Sequence, residues 1–382
     1  MSPELKQCLA EVEPAPEPSA AFDGIQFPLS LEIGQQAAIS SSAEFLYLDQ
    51  QAVLQAGVLD MRRTVDVIGE ALCLFETGKC RQPPKIVLRD GDDVASEDRG
   101  RINALFASLC GKERAIGMKW IASFPANRSH GLPRASALII LNSPDTGLPL
   151  AIMDGTLISA MRTGAVTALG LKYLAPRDSR KVGIVGAGVQ ARTQILALVN
   201  ELPQLNEIAV FSRTPGDAKA LAEDCQQQWQ APVVPAESIA EALKDADIVI
   251  PCTTTHVPFV RAEHIKPGAL TVQLSHHDSE FEVVSQCSKI VIDNWDVVTH
   301  RGTVTPAIMH AQGLLGREQI YATLGELILG RKPGREGESE RIHFVHQGMG
   351  VEDVALAWSV YASARGRGLG QPLKLWEKPL WV

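Results

Sequence analysis

The chain has 382 residues, 45% hydrophobic and 21% charged, which is the balance of an ordinary globular protein and enough length for two domains with separate cores. A formal net charge of −8 argues against nucleic acid or an anionic membrane as partner. No apolar run reaches the roughly 18 residues of a membrane span, and no basic-then-apolar leader opens the chain. The 7 cysteines, scattered without metal-ligand spacing, read as reduced thiols of a cytoplasmic protein.

Residues 1–43 are rich in Pro, Glu, Ala and Ser and read as a flexible extension, with room for a short strand within 24–39. Ordered structure is expected from Phe45-Leu46-Tyr47-Leu48 onward. A helix is predicted over 61–77, where Val65, Val67, Ile68, Ala71, Leu72 and Leu74 recur at mixed helical spacing. Strands are predicted around 85–88, 103–108, 115–123 and 135–142, and the turn residues Asp145-Thr146-Gly147 separate the last from 149–154. Together they make an antiparallel meander. The apolar segment 135–140 is a poor solvent edge, so the edges of this sheet are expected to pair with something. A helical pattern over 158–173 follows, and Pro176-Arg177-Asp178 breaks it.

The apolar strand starting at Lys181 then runs into Gly186-x-Gly188-x-x-Ala191, a dinucleotide fingerprint. Gly186 permits the tight turn, Gly188 lets backbone approach a pyrophosphate, and Ala191 lets the next helix pack against the strand. The helix predicted over 192–200 would aim its first N–H groups at the phosphates, and Val189 and Gln190 join the glycines as cofactor-binding candidates. Strands at 207–211, 233, 248–251, 270–274 and 289–293 alternate with helices at 217–228 and 239–243, the pattern of a parallel sheet built from βαβ units. After Trp295 the chain reads as helical and loop-like, closing with an apolar helix over 350–364. The fold class expected is α/β. A Rossmann-type doubly wound nucleotide domain, 161–310, is inserted into an α+β substrate-binding and dimerisation domain with halves 44–160 and 311–382.

Several residues could carry chemistry. Lys119 sits inside an apolar strand, Gly117-Met118-Lys119-Trp120-Ile121, facing either solvent or a cleft. Arg162 opens a helix of small residues, where close packing explains the neighbours and not the arginine; a guanidinium there suits a substrate carboxylate. Asp278 follows a sheet strand, where open α/β sheets bind ligands, and suits general-base work, although loop aspartates are usually turn formers. Cys252 closes another strand and reads as a buried small residue rather than a nucleophile, while Thr253, Thr254 and Thr255 would line the cofactor cleft. His276-His277 and His343-x-x-His346 lack the partners of a zinc site, so no metal is expected. The second sheet strand ends Phe211-Ser212-Arg213, with no acid for a ribose 2′-OH. Arg213 could pair with the 2′-phosphate of NADP or stack on adenine, so the cofactor is NAD or NADP.

Taken together, these segments resemble the ornithine cyclodeaminase/mu-crystallin family. The likeness is carried by Lys119-Trp120-Ile121-Ala122-Ser123-Phe124-Pro125-Ala126-Asn127, Leu141-Asn142-x-x-Asp145-Thr146-Gly147, Arg162-Thr163-Gly164-Ala165, the fingerprint, and Gly350-Val351-Glu352-Asp353-Val354-Ala355. It covers about 45–369. Within the family, Ser123-Phe124-Pro125-x-Asn127 followed by Gly131-Leu132-Pro133-Arg134-Ala135-Ser136 looks most like the N-(2-amino-2-carboxyethyl)-L-glutamate dehydrogenase branch, and it departs from the stretch of ornithine cyclodeaminases.

The resemblance implies that Lys85, Arg89 and Arg162 hold the carboxylates of an amino-acid substrate, with Lys119 near the reacting amine. Hydride passes from the α-carbon to the nicotinamide, and water activated by Asp278 adds to the imine. L-2,3-diaminopropionate and 2-oxoglutarate are then released. It also implies that Lys119 loses a proton near neutral pH through burial beside other cations. The same fold leaves open a cyclodeaminase that turns ornithine into proline and ammonia, a ketimine or amino-acid reductase, or a non-catalytic binding protein.

Overall fold

The structure is a computed structural model that describes residues 42–89, 100–274 and 276–381. The extension and short strand expected before residue 42 lie outside the described residues. The chain divides into two compact units, Met1–Ser159 with Gly350–Val382, and Ala160–Met349.

The first unit begins with β1 (Ala43–Leu48), α1 (Gln50–Gln55) and α2 (Met61–Glu76). Asp49 and Asp60 cap these helices, accepting from Ala52 N at 2.8 Å and Arg63 N at 3.1 Å, which gives an acceptor to two of the donors that a helix start leaves unpaired. The strands β2 (Cys80–Arg81), β3 (Ile86–Arg89), β4 (Arg101–Cys110), β5 (Arg114–Ser123), β6 (Ala135–Asn142) and β7 (Pro149–Asp154) follow, and α3 (Thr156–Leu174) leads into the second unit. In β5, burial alternates with period two, so Ala115, Gly117 and Lys119 share the inward face while Trp120 is exposed.

The second unit contains β8 (Lys181–Val185), α4 (Val189–Glu201), β9 (Glu207–Phe211), α5 (Pro215–Trp229), β10 (Val233–Pro235), α6 (Ile239–Leu243), β11 (Ile248–Pro251) and β12 (Leu270–Gln273). It continues with α7 (Phe281–Ser285), β13 (Lys289–Ile292), α8 (Trp295–Arg301), α9 (Thr305–Ala311), β14 (Ala322–Thr323), α10 (Leu324–Ile328) and β15 (Ile342–Val345). Its sheet runs β10-β9-β8-β11-β12-β15-β13-β14, and its ladders are parallel. The strand order reverses between β8 and β11, the crevice where doubly wound sheets bind nucleotides. The chain then returns to the first unit as α11 (Gly350–Gly366), which packs on α2, β4 and β5, and as β16 (Gln371–Trp376). That sheet runs β16-β1-β7-β6-β5-β4-β2, with β3 also on β4.

Three expectations change. The segment after Trp295 is not only helix and loop, because β15 inserts between β12 and β13, fully buried, and carries the nucleotide unit to Met349 rather than to residue 310. A four-residue apolar run containing a histidine has no periodicity that separates strand from loop. The segment 135–140 is no edge, since β6 lies between β5 and β7. The fingerprint helix begins at Val189 rather than at residue 192. Among the described residues no helix is long and apolar enough to cross a membrane.

Candidate active site

In the second unit the strand β8 is buried along nearly its whole length and delivers Gly186 at φ +111°, a conformation that L side chains avoid. A Cβ at Gly186 would stand 2.7 Å from the carbonyl oxygen of Cys252, so the two chain segments touch only because no side chain intervenes. Gly188 is the N-cap of α4, with extended backbone and no side-chain cap, which leaves the first amides of α4 without a capping side chain. Val189 is 60% exposed beside them, and the buried Oε1 of Gln190 has no hydrogen-bond partner. Bare helix amides and a close glycine turn fit the phosphates of a dinucleotide. The second strand leads into Ser212, whose hydroxyl accepts from Thr214 N at 3.4 Å, and into exposed Arg213. Thr254 is exposed after β11, and the Thr255 hydroxyl accepts from Val257 N at 3.1 Å.

Thr253 does something else. Its hydroxyl donates to Asp278 Oδ1 at 2.6 Å. Asp278 is 1% exposed, and its other oxygen, Oδ2, has no hydrogen-bond partner among the described residues. Burial pushes this carboxyl up to about 7, against the smaller opposing effect of the Thr253 hydrogen bond. The result is a carboxyl that titrates near neutrality, where it could serve as a general base. The loop around it is anchored from below. Gln273 Nε2 donates to His276 O at 2.8 Å and to Thr305 Oγ1 at 2.9 Å, and the Thr305 hydroxyl donates to Ser279 O at 2.9 Å.

The four histidines considered for zinc are occupied by other contacts. His276 packs on His256 with ring centroids 4.8 Å apart, and His277 Nδ1 lies 3.0 Å from Thr305 Oγ1. His343 Nε2 lies 3.2 Å from Gln273 Oε1, and His346 Nε2 lies 2.9 Å from Thr167 Oγ1. Burial pushes both of the latter rings down to about 3, so they are neutral.

Arg162, on α3, is 8% exposed, and its guanidinium lies under Gly348, whose backbone is held at φ +81°. The Asp293 carboxylate, just past β13, accepts from Gln347 N at 2.6 Å and Gly348 N at 3.0 Å, and so fixes the turn that follows β15. A Cβ at Gly348 would fall 1.8 Å from Arg162 Nη1. Gly348→Ala is therefore expected to displace the guanidinium and raise KM for a carboxylate substrate about tenfold or more, a loss of at least about 1.4 kcal/mol in binding. Steady-state kinetics beside a dinucleotide titration will show it; an unchanged KM would make Arg162 a packing residue.

In the first unit Lys119, 1% exposed, forms an ion pair with Asp353 at 2.6 Å and donates to Ser159 Oγ at 3.1 Å. Of its two readings, the inward one holds. Its ion-pair partner is a carboxylate, and such a partner stabilises the ammonium. Lys85 and Arg89 flank and end the edge strand β3, both half-buried. Sequence reasoning gave no role to Asp353 or Gly348. The available signals were the acid pair Glu352-Asp353 inside an apolar helix and the spacing Gly348-x-Gly350.

The profile of the ornithine cyclodeaminase/mu-crystallin family matches residues 48–368. An alanine dehydrogenase of Archaeoglobus fulgidus is 32% identical over 340 residues, 87% of this chain and 99% of that protein. The N-((2S)-2-amino-2-carboxyethyl)-L-glutamate dehydrogenase of Staphylococcus aureus is 31% identical over 336 residues, 87% of this chain and 99% of its own. A solved archaeal alanine dehydrogenase dimer with bound NAD superposes with a TM-score of 0.79 at 31% identity, covering 87% of this chain and 100% of that one.

Proposed function

The chain belongs to the ornithine cyclodeaminase/mu-crystallin family, and from that membership we propose that it is a nicotinamide-dependent oxidoreductase acting on an amino-acid C–N bond. More narrowly, its reaction is the cleavage of N-(2-amino-2-carboxyethyl)-L-glutamate to L-2,3-diaminopropionate and 2-oxoglutarate. The observation that carries the reading is Asp278, a buried carboxyl at the carboxyl end of the parallel sheet with one unpartnered oxygen and a proton affinity near neutrality.

Gly186, Gly188, Val189, Gln190, Ser212, Arg213, Thr254 and Thr255 hold the dinucleotide. When bound, it accepts hydride from the substrate α-carbon. Arg162, Lys85 and Arg89 bind carboxylates, which suits a substrate with more than one. Lys119 acts as an ammonium that donates hydrogen bonds to the bound amino acid. Asp278 takes a proton from the water that adds to the imine carbon and returns it to nitrogen as the C–N bond breaks. A plain amino-acid dehydrogenase uses the same steps, and the A. fulgidus relative keeps that second reading in view.

Absorbance at the reduced-nicotinamide band tests the reading, using alanine, ornithine and the glutamate–diaminopropionate adduct with NAD and with NADP. Reduction with the adduct, giving 2-oxoglutarate in equal amount, is the expected result. Turnover of alanine alone would leave the coarser function and remove the finer one, and proline from ornithine without net reduction would replace both. A preference for NAD of about tenfold or more would remove the 2′-phosphate role of Arg213.

A homodimer is part of the proposal. Phe106, Trp120 and Leu138 lie on adjacent strands of the first unit, 38%, 42% and 46% exposed, an apolar stripe that a second copy would cover. The archaeal relative is a dimer. Sedimentation should give twice the chain mass; the mass of one chain would count against it.

A further inference from the structure

We propose that Thr253 is the positioning residue of Asp278, its hydroxyl holding one carboxyl oxygen so that the other is left for the reacting water. This rests on the reading of Asp278 as the base, and it gives Thr253 a different task from the cofactor-lining one expected of all three threonines.

The geometry separates Thr253 from its neighbours. Thr255 N–H approaches the Thr253 oxygen at 3.4 Å, on the acceptor side of the hydroxyl, which turns its proton toward Asp278 Oδ1 at 2.6 Å. That distance is in the range of hydrogen bonds to an ionised carboxylate. The same loop fixes the aspartate backbone, since Phe259 N and Val260 N both donate to Asp278 O at 2.9 Å, and Asp278 N donates to His276 O at 2.9 Å. With its peptide and Oδ1 committed, the side chain has one oxygen, Oδ2, buried and without a partner among the described residues. β-Branching at residue 253 limits χ1 and keeps the hydroxyl on its target.

The titratable groups around the carboxyl are Cys252 at the end of β11, His276 and His277 on its own loop, and His256 packed on His276. Among the described residues, burial and the Thr253 hydroxyl set the proton affinity of Asp278. Removing the hydroxyl takes away a donor to the ionised form, so the midpoint must move to higher pH.

The test is a pH titration by 13C NMR of protein labelled at aspartate carboxyls, without dinucleotide, the Asp278 signal being the one lost in Asp278→Asn. Thr253→Val is expected to raise the midpoint by about one pH unit. Thr253→Ala should do the same, and Thr253→Ser should restore the wild-type value. The affinity for nicotinamide dinucleotide should stay within about twofold in all three. A midpoint unmoved in both Thr253→Val and Thr253→Ala overturns the proposal, as does weakened dinucleotide binding with no shift, which returns Thr253 to the cofactor. Wild-type protein inert on every amino acid, with the shift present, removes the base role of Asp278 and leaves the positioning contact standing.

Discussion

Asp278→Asn is expected to lower kcat by about 10²–10⁴-fold, the usual contribution of a positioned general base. Dinucleotide binding should be nearly unchanged, because asparagine has the same shape and can still accept from Thr253. The wild-type pH profile should carry the same signature. Burial places the carboxyl at about 7, so below that pH it is protonated and cannot take a proton, and the rate falls about tenfold per unit. Stability moves the other way. Between pH 3.8 and about 7 the native state holds a proton that the unfolded chain releases, so folding weakens as pH rises through that window. The asparagine variant lacks this slope. Denaturant titrations of both proteins at pH 5 and pH 8 would expose the difference. A variant retaining more than about a tenth of wild-type kcat would remove Asp278 from the chemistry.

The second large effect concerns Lys119. Lys119→Met should abolish turnover and also destabilise the protein by about 3–5 kcal/mol, because it strands the buried Asp353 carboxylate. Loss of activity alone therefore says little. Pairing the change with Asp353→Leu separates the two effects, since replacing both partners of a buried ion pair with apolar residues is often neutral for stability. The double variant is expected to unfold near wild-type denaturant concentration and to stay inactive. Full turnover in it would make the pair structural.

Local pattern carried much of the architecture. The apolar runs bounded by turn residues and the glycine spacing after β8 are written in consecutive residues, so the meander, the fingerprint turn and the alternation of strands and helices are readable from the chain. What was missed depends on partners far away in sequence. Lys119 is paired with a residue 234 positions later, which no spacing rule reveals (353 − 119 = 234). Thr253 and Asp278 stand 25 positions apart, and three adjacent threonines look equivalent until one hydroxyl finds a carboxylate. Arg162 was conspicuous, but the glycine that makes room for it lies beyond a strand that the composition disguises. The four residues of β15 are too few to show a period, and its histidine looks out of place in a sheet until its side-chain contact with Gln273 on the neighbouring strand is seen.

That late strand has a consequence for biogenesis. β15 is the partner of both β12 and β13, so a ribosome must synthesise residue 345 before the middle of the parallel sheet can zip together. The meander waits longer still for α11 and β16. Both hydrophobic cores thus stay open until these late segments have emerged, a topology of long-range contacts that favours slow maturation.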